Sequence, residues 1–149
     1  LGLYAGGTLA AETELILNRA GIRNEVLDLG DDQYTRGKPH PMIDPDIRCR
    51  HIIGLGNRAD IGVVLLDCVL GYGAHPDPAA PMADAIRATT KVAAEADRDL
   101  VFVGSVCGTD ADPQGLDRQR SKLIDAGVQL FNSNAAAARA AAVYAGGNQ

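Results

Sequence analysis

Ile61-Gly62-Val63-Val64-Leu65-Leu66 carries no charge until Asp67. A continuous apolar run of this length fits a strand covered on both faces, the condition of a parallel sheet flanked by helices. Working outward, short apolar runs alternate with helical patterns. Strands are expected over residues 1–5, 24–29, 61–66, 100–103 and 128–131, and helices over 9–19, 46–55, 82–96, 116–126 and 134–145. The first helix carries Leu9, Leu15, Ile16 and Leu17 and is closed by Gly21. In the second, Pro45 suits the first turn, Asp44 the cap, and Ile47, Ile52 and Ile53 the apolar side. Ser133 or Asn134 would cap the Ala-rich last helix.

Strands and helices in alternation define an α/β fold. With right-handed crossovers and a short chain, the arrangement expected is a flavodoxin-like, three-layer, doubly wound parallel sheet of order 2-1-3-4-5. The 149 residues make one domain. Because the chain opens directly on strand-like Leu1-Gly2-Leu3-Tyr4, it reads as a fragment of a longer protein whose other domains contribute to function. Its net charge of -5 argues against a nucleic-acid or anionic-membrane surface. No apolar run has the length of a membrane span. Cys49, Cys68 and Cys107 are widely spaced without a CxxC, which points away from a disulfide framework or a zinc site and toward a reduced, cytoplasmic protein.

In doubly wound sheets ligands bind in the crevice outside the carboxyl ends of the strands. Three small-residue turns would meet there: Gly6, Gly7 and Thr8; Gly71, Tyr72, Gly73 and His75; and Cys107, Gly108 and Thr109. Glycines permit close backbone approach, and free N–H groups at helix starts attract anions, so these ten residues form a candidate anion site. Each also has a plain reading: a tight turn, a Pro-stiffened loop around a solvated His75, an inert Cys107 thiol. Asp110 and Asp112 are either a Mg²⁺ pair or helix-start acids. The long connection 30–44, with Asp31, Asp32, Arg36, Lys38 and His40, is either a solvated excursion or a segment that covers a substrate or docks on another domain. Aromatics at 4% and no Trp leave little to stack on a flavin.

Two stretches carry a resemblance. Residues 30–45, Gly-Asp-Asp-Gln-Tyr-Thr-Arg-Gly-Lys-Pro-His-Pro-Met-Ile-Asp-Pro, and residues 64–78, Val-Leu-Leu-Asp-Cys-Val-Leu-Gly-Tyr-Gly-Ala-His-Pro-Asp-Pro, resemble the carboxyl-terminal part of FdrA proteins. FdrA proteins are relatives of the succinyl-CoA synthetase α subunit. The similarity covers essentially the whole chain and extends to the CoA-ligase domain shared by those synthetases and ATP-citrate lyase. It implies a domain that pairs with a sister domain, in the same chain or a homodimer, around a small anionic substrate. It also implies that CoA and any nucleotide are held by other domains of the full-length protein.

The sequence departs from the synthetases in two places. Tyr72 interrupts the Gly-Gly pair that opens one of the helices facing their phosphohistidine. Residues 107–115, where the α subunit has Gly-His-Ala-Gly, contain no histidine, as in the β subunit. His40, His51 and His75 are therefore expected not to carry phosphate, and the chain alone not to ligate CoA. Three readings stay open: an acyl-CoA synthetase-like ligase domain; part of a carbamoyl-transferring enzyme, since FdrA-like proteins are associated with purine and allantoin nitrogen catabolism; and a non-catalytic assembly module.

Overall fold

The computed structural model describes residues 2–5 (backbone), 7–23, 25–28, 37 and 42–146. Its five strands are β1 (Gly2–Ala5), β2 (Glu25–Asp28), β3 (Val63–Val69), β4 (Val101–Cys107) and β5 (Val128–Phe131). The helices are α1 (Gly7–Arg19), α2 (Asp46–Gly54), α3 (Ala79–Glu95), α4 (Leu116–Asp125) and α5 (Asn134–Tyr144), with a short 3-10 turn (Leu55–Asn57) after α2. The strands form one sheet, β2-β1-β3-β4-β5, and every neighbouring pair is parallel. Most of the connection 30–44, His40 included, lies outside the described residues.

Side-chain alternation on β3 sorts the core into two layers. Val64, Leu66 and Cys68 join Ile52, Met82, Ile86 and Phe102 beneath α2, α3 and α4. Val63 and Leu65 join Val103, Ala10, Ala137, Ala138 and Ala141 beneath α1 and α5. The alanines of α5 explain a core almost without aromatics: small side chains let that helix lie close to the sheet, and their collective contacts replace bulk.

Two strands differ from the sequence-based expectation. β3 runs to Val69, past Asp67, because that carboxylate is matched inside the fold by Arg48. β4 continues through Gly104 to Cys107 instead of ending at Val103. Gly104 is a close-approach position: a Cβ there would stand 2.8 Å from the Leu66 carbonyl oxygen. A glycine that reads as a loop residue is thus a strand residue packed against its neighbour. Smaller shifts occur in the helices. Ile53 is 48% exposed while Arg48 is buried, so the apolar side of α2 is narrower than its isoleucines suggest. Pro45 is the N-cap of α2, and the Asp46 N–H donates to Asp44 Oδ1 at 3.0 Å. Ser133 caps α5 through its hydroxyl, which accepts from the Ala136 N–H at 3.2 Å.

Candidate functional site at the strand carboxyl ends

The two central strands project beyond their neighbours. Pairing of β1 with β3 reaches Tyr4–Leu66 and that of β4 with β5 reaches Ser105–Phe131, whereas β3 and β4 stay paired to Val69–Cys107. The Leu70 N–H then donates to the Cys107 carbonyl at 2.8 Å. The resulting ridge divides the carboxyl end of the sheet into two faces.

On the face of α2, α3 and α4, two buried glutamines organise the loop after β3. Gln114 accepts from the Gly71 N–H at 3.2 Å and donates to the carbonyls of Gly71 at 2.8 Å and His75 at 3.2 Å. Gly71 sits at φ 136°, a conformation that this clamp holds and that a side chain would resist. Gln119, fully buried on α4, accepts from the Ala79 N–H at 3.0 Å and donates to Asp77 Oδ1 at 3.0 Å. Asp77 also pairs with Lys122. Partial burial alone would raise the Asp77 carboxyl, but the hydrogen bonds from Lys122 and Gln119 outweigh it and hold the group below the usual carboxylate range.

His75 Nδ1 accepts from the Asp77 N–H at 3.0 Å, and the His75 backbone N–H donates to the Met42 carbonyl at 2.7 Å. With Nδ1 committed as an acceptor, the neutral ring carries its proton on Nε2. His75 lines a cleft of about 20 Å³, room for one water, together with Pro45, Arg48, Cys68 and Met82. Below it lies a buried ion pair: Arg48 Nη2 stands 3.2 Å from Asp67 Oδ1, and Arg48 Nη1 donates to the Asp67 carbonyl. Apart from that ion-pair contact, Arg48 Nε and Asp67 Oδ1 have no hydrogen-bond partner among the described residues. Burial pushes the Cys68 thiol up to about 12.

The opposite face holds a larger cavity, about 330 Å³, between the first turns of α1 and α5 and the end of β4. Ser105 and Cys107 share the side of β4 that carries Val103 and both line this cavity. Asn134 ties its walls together: Nδ2 donates to the Leu9 carbonyl at 3.1 Å, to Glu12 Oε2 at 2.6 Å and to Thr13 Oγ1 at 3.1 Å.

The ten candidate residues are therefore distributed over the ridge. Gly6 lies outside the described residues. The Gly7 N–H donates to Asp28 Oδ1 at 2.9 Å, so a carboxylate of the chain itself stands at the start of α1, and Thr8 is exposed in the first turn. Gly71, Tyr72, Gly73 and His75 belong to the clamped loop, where Tyr72 is 89% exposed. Cys107 is exposed at the end of β4 and faces the other cavity. Gly108 packs on Leu70, where a Cβ would meet Leu70 Cβ at 2.8 Å. Thr109 donates its N–H to Asp112 Oδ2 at 2.6 Å and its hydroxyl to the same atom at 3.2 Å. Among the described residues no group of three or more His, Cys, Asp or Glu could hold a metal ion.

Arg48, Gln114, Gln119 and Ser105 are not among the site residues expected from sequence, and Asn134 is named there only as a possible helix cap. Ser105 had a signal: it continues the Val101, Val103 alternation as a polar residue at an apolar position. Nothing local marks the two glutamines, whose partners lie some 40 residues away.

An open parallel α/β sheet with turns and helix starts gathered at its carboxyl end is the doubly wound architecture, in which ligands, where a member binds one, sit outside the strand carboxyl ends. The chain matches the CoA-ligase family over residues 3–144 and belongs to that family. It is also similar to the uncharacterized protein YahF of Escherichia coli strain K12, 36% identical over an alignment 155 positions long, gaps included, that covers 89% of this chain and 30% of YahF. The chain thus spans about a third of the length of the curated relative it matches. Among the described residues, no helix is long and apolar enough to cross a membrane.

Proposed function

We propose that this chain is the carboxyl-terminal ligase-type domain of an FdrA-like acyl-CoA synthetase homologue. In this reading it binds a phosphate or carboxylate group at the strand carboxyl ends and pairs with a sister domain, while CoA and any nucleotide occupy other domains of the full-length protein. The observation that carries the reading is the CoA-ligase family match across nearly the whole chain. Three free cysteines fit a reducing, cytoplasmic setting.

Carbamoyl transfer is the second reading, and the loop after β4 is the reason to keep it. Residues 107–115 hold no histidine, and Thr109, Asp112 and Gln114 spend their polar groups on bonds within the domain. A phosphohistidine relay has no obvious residue here, whereas transfer between two bound anionic substrates needs none. The experiment supplies the full-length protein with CoA, nucleoside triphosphate and a panel of carboxylic acids, and separately with carbamoyl phosphate and carbamoyl acceptors. Thioester formation supports the ligase reading. Carbamoyl products without thioester support the second, and no turnover under either regime leaves an assembly role as the better account.

A further inference from the structure

We infer that the cleft between α2 and the loop after β3 seats one oxygen atom of a carboxylate or phosphate, with Arg48 and His75 as its hydrogen-bond donors. The inference rests on the reading that an anion binds at the strand ends and goes further by naming the side of the ridge and the two residues that receive it.

Arg48 is the first observation. It is only 8% exposed. Its Nη1 donates to the Asp67 carbonyl and its Nη2 faces Asp67 Oδ1 at 3.2 Å, but its Nε is buried with no partner among the described residues. A guanidinium presents its donors in a rigid fork, so with both Nη atoms held on Asp67 the Nε–H keeps one direction. A buried N–H left unbonded costs free energy, and such groups in native folds point to a missing partner. Arg48 lines the cleft, whereas Asp67 is not part of the lining.

The rest of the lining asks for an acceptor. His75 has Nδ1 committed to the Asp77 N–H, so its neutral ring has only the Nε2–H to offer. Cys68 stays a thiol, because burial pushes it up to about 12, and no thiolate competes for the donors. Among the described residues no Asp or Glu lines the cleft. Met42, Pro45, Pro78 and Met82 make the remaining wall apolar, where a hydrogen bond to a charged oxygen is stronger than in water. The volume of about 20 Å³ admits one oxygen-sized atom, so the rest of the ligand stays outside the cleft. The nearby start of α3 adds nothing: the Ala79 N–H is spent on Gln119, and Pro81 has none to give.

Arginine Nε–H groups give their own nitrogen–proton resonances, so the donor can be watched directly. The test titrates the full chain with inorganic phosphate and, separately, malonate, against chloride at matched ionic strength. It reads the Arg48 Nε–H, the His75 ring nitrogens and the backbone amides. Arg48→Lys, which keeps a cation beside Asp67, identifies the Arg48 signal by its loss. The expected result is a saturable downfield shift of the Arg48 Nε–H, a parallel shift at His75 Nε2, and several-fold weaker binding in His75→Ala. Whether phosphate, malonate or both move the signal identifies the oxyanion. An Arg48 Nε–H that stays still while amides at the start of α1 or α5 shift saturably would overturn this inference and leave the strand-end reading intact. Unchanged affinity in His75→Ala would do the same. No saturable change anywhere, or one that chloride reproduces, would overturn both.

Discussion

Replacing Arg48 with methionine isolates what the buried ion pair does. The Asp67 carboxylate is 3% exposed, and Arg48 is the cation beside it, at 3.2 Å. Methionine keeps most of the side-chain volume, removes the charge, and strips the Asp67 carbonyl of the Arg48 donor. Breaking a buried pair from one side costs about 3–5 kcal/mol, because the remaining charge has neither water nor partner. That is a large share of the roughly 5–15 kcal/mol that holds a domain together. With no Trp in the chain, urea unfolding is best followed by far-UV circular dichroism. Arg48→Met should lower the midpoint by roughly 2 M, given slopes of about 1–3 kcal/mol per molar urea. The double variant Arg48→Met/Asp67→Leu should recover most of that loss, because hydrophobic replacement of both members of a buried pair is near neutral or better. A single-variant shift below about 0.5 M would refute the reasoning, since it would mean that water or another group already solvates Asp67.

Gly104→Ala should destabilise by about 1–3 kcal/mol, because its Cβ would meet the Leu66 carbonyl at 2.8 Å; thermal unfolding checks it. Gln119→Leu should cost about 1–3 kcal/mol by leaving the buried Ala79 N–H unbonded, and amide exchange at the start of α3 should quicken. The Asp77–Lys122 pair contributes stability that is fully present above the unfolded carboxyl value of 3.8 and is lost as pH falls through the lower folded value. Asp77→Asn should therefore flatten the acid limb of the stability profile below that value. No histidine of this chain should gain acid-labile phosphate when the full-length protein is incubated with nucleoside triphosphate. Label on His75 that disappears in His75→Asn would contradict this.

The parallel α/β architecture was legible because β3 advertises burial on both faces and because strands and helices alternate with distinct periodicities. Strand ends were less so. Asp67 reads as a terminator, yet Arg48, 19 residues earlier, lets the strand carry it inside. Gly104 reads as a loop, yet it is glycine because two strands press together there. The candidate site was legible as a set of turns but not as a geometry. A sequence shows that small residues and helix starts gather at the strand ends. It does not show that Asp28 caps α1 or that Gln119 takes the N–H of α3, because each depends on a contact across the fold.

The central claim is that this CoA-ligase domain receives an anion at the carboxyl ends of its strands. The most direct measurement is a crystal of the chain soaked in phosphate or sulfate. The account predicts anion density at the strand carboxyl ends, against the start of α1, the loop after β3 or the turn after β4. Density confined to unrelated surface sites, with these strand ends bare at saturating anion, would contradict it.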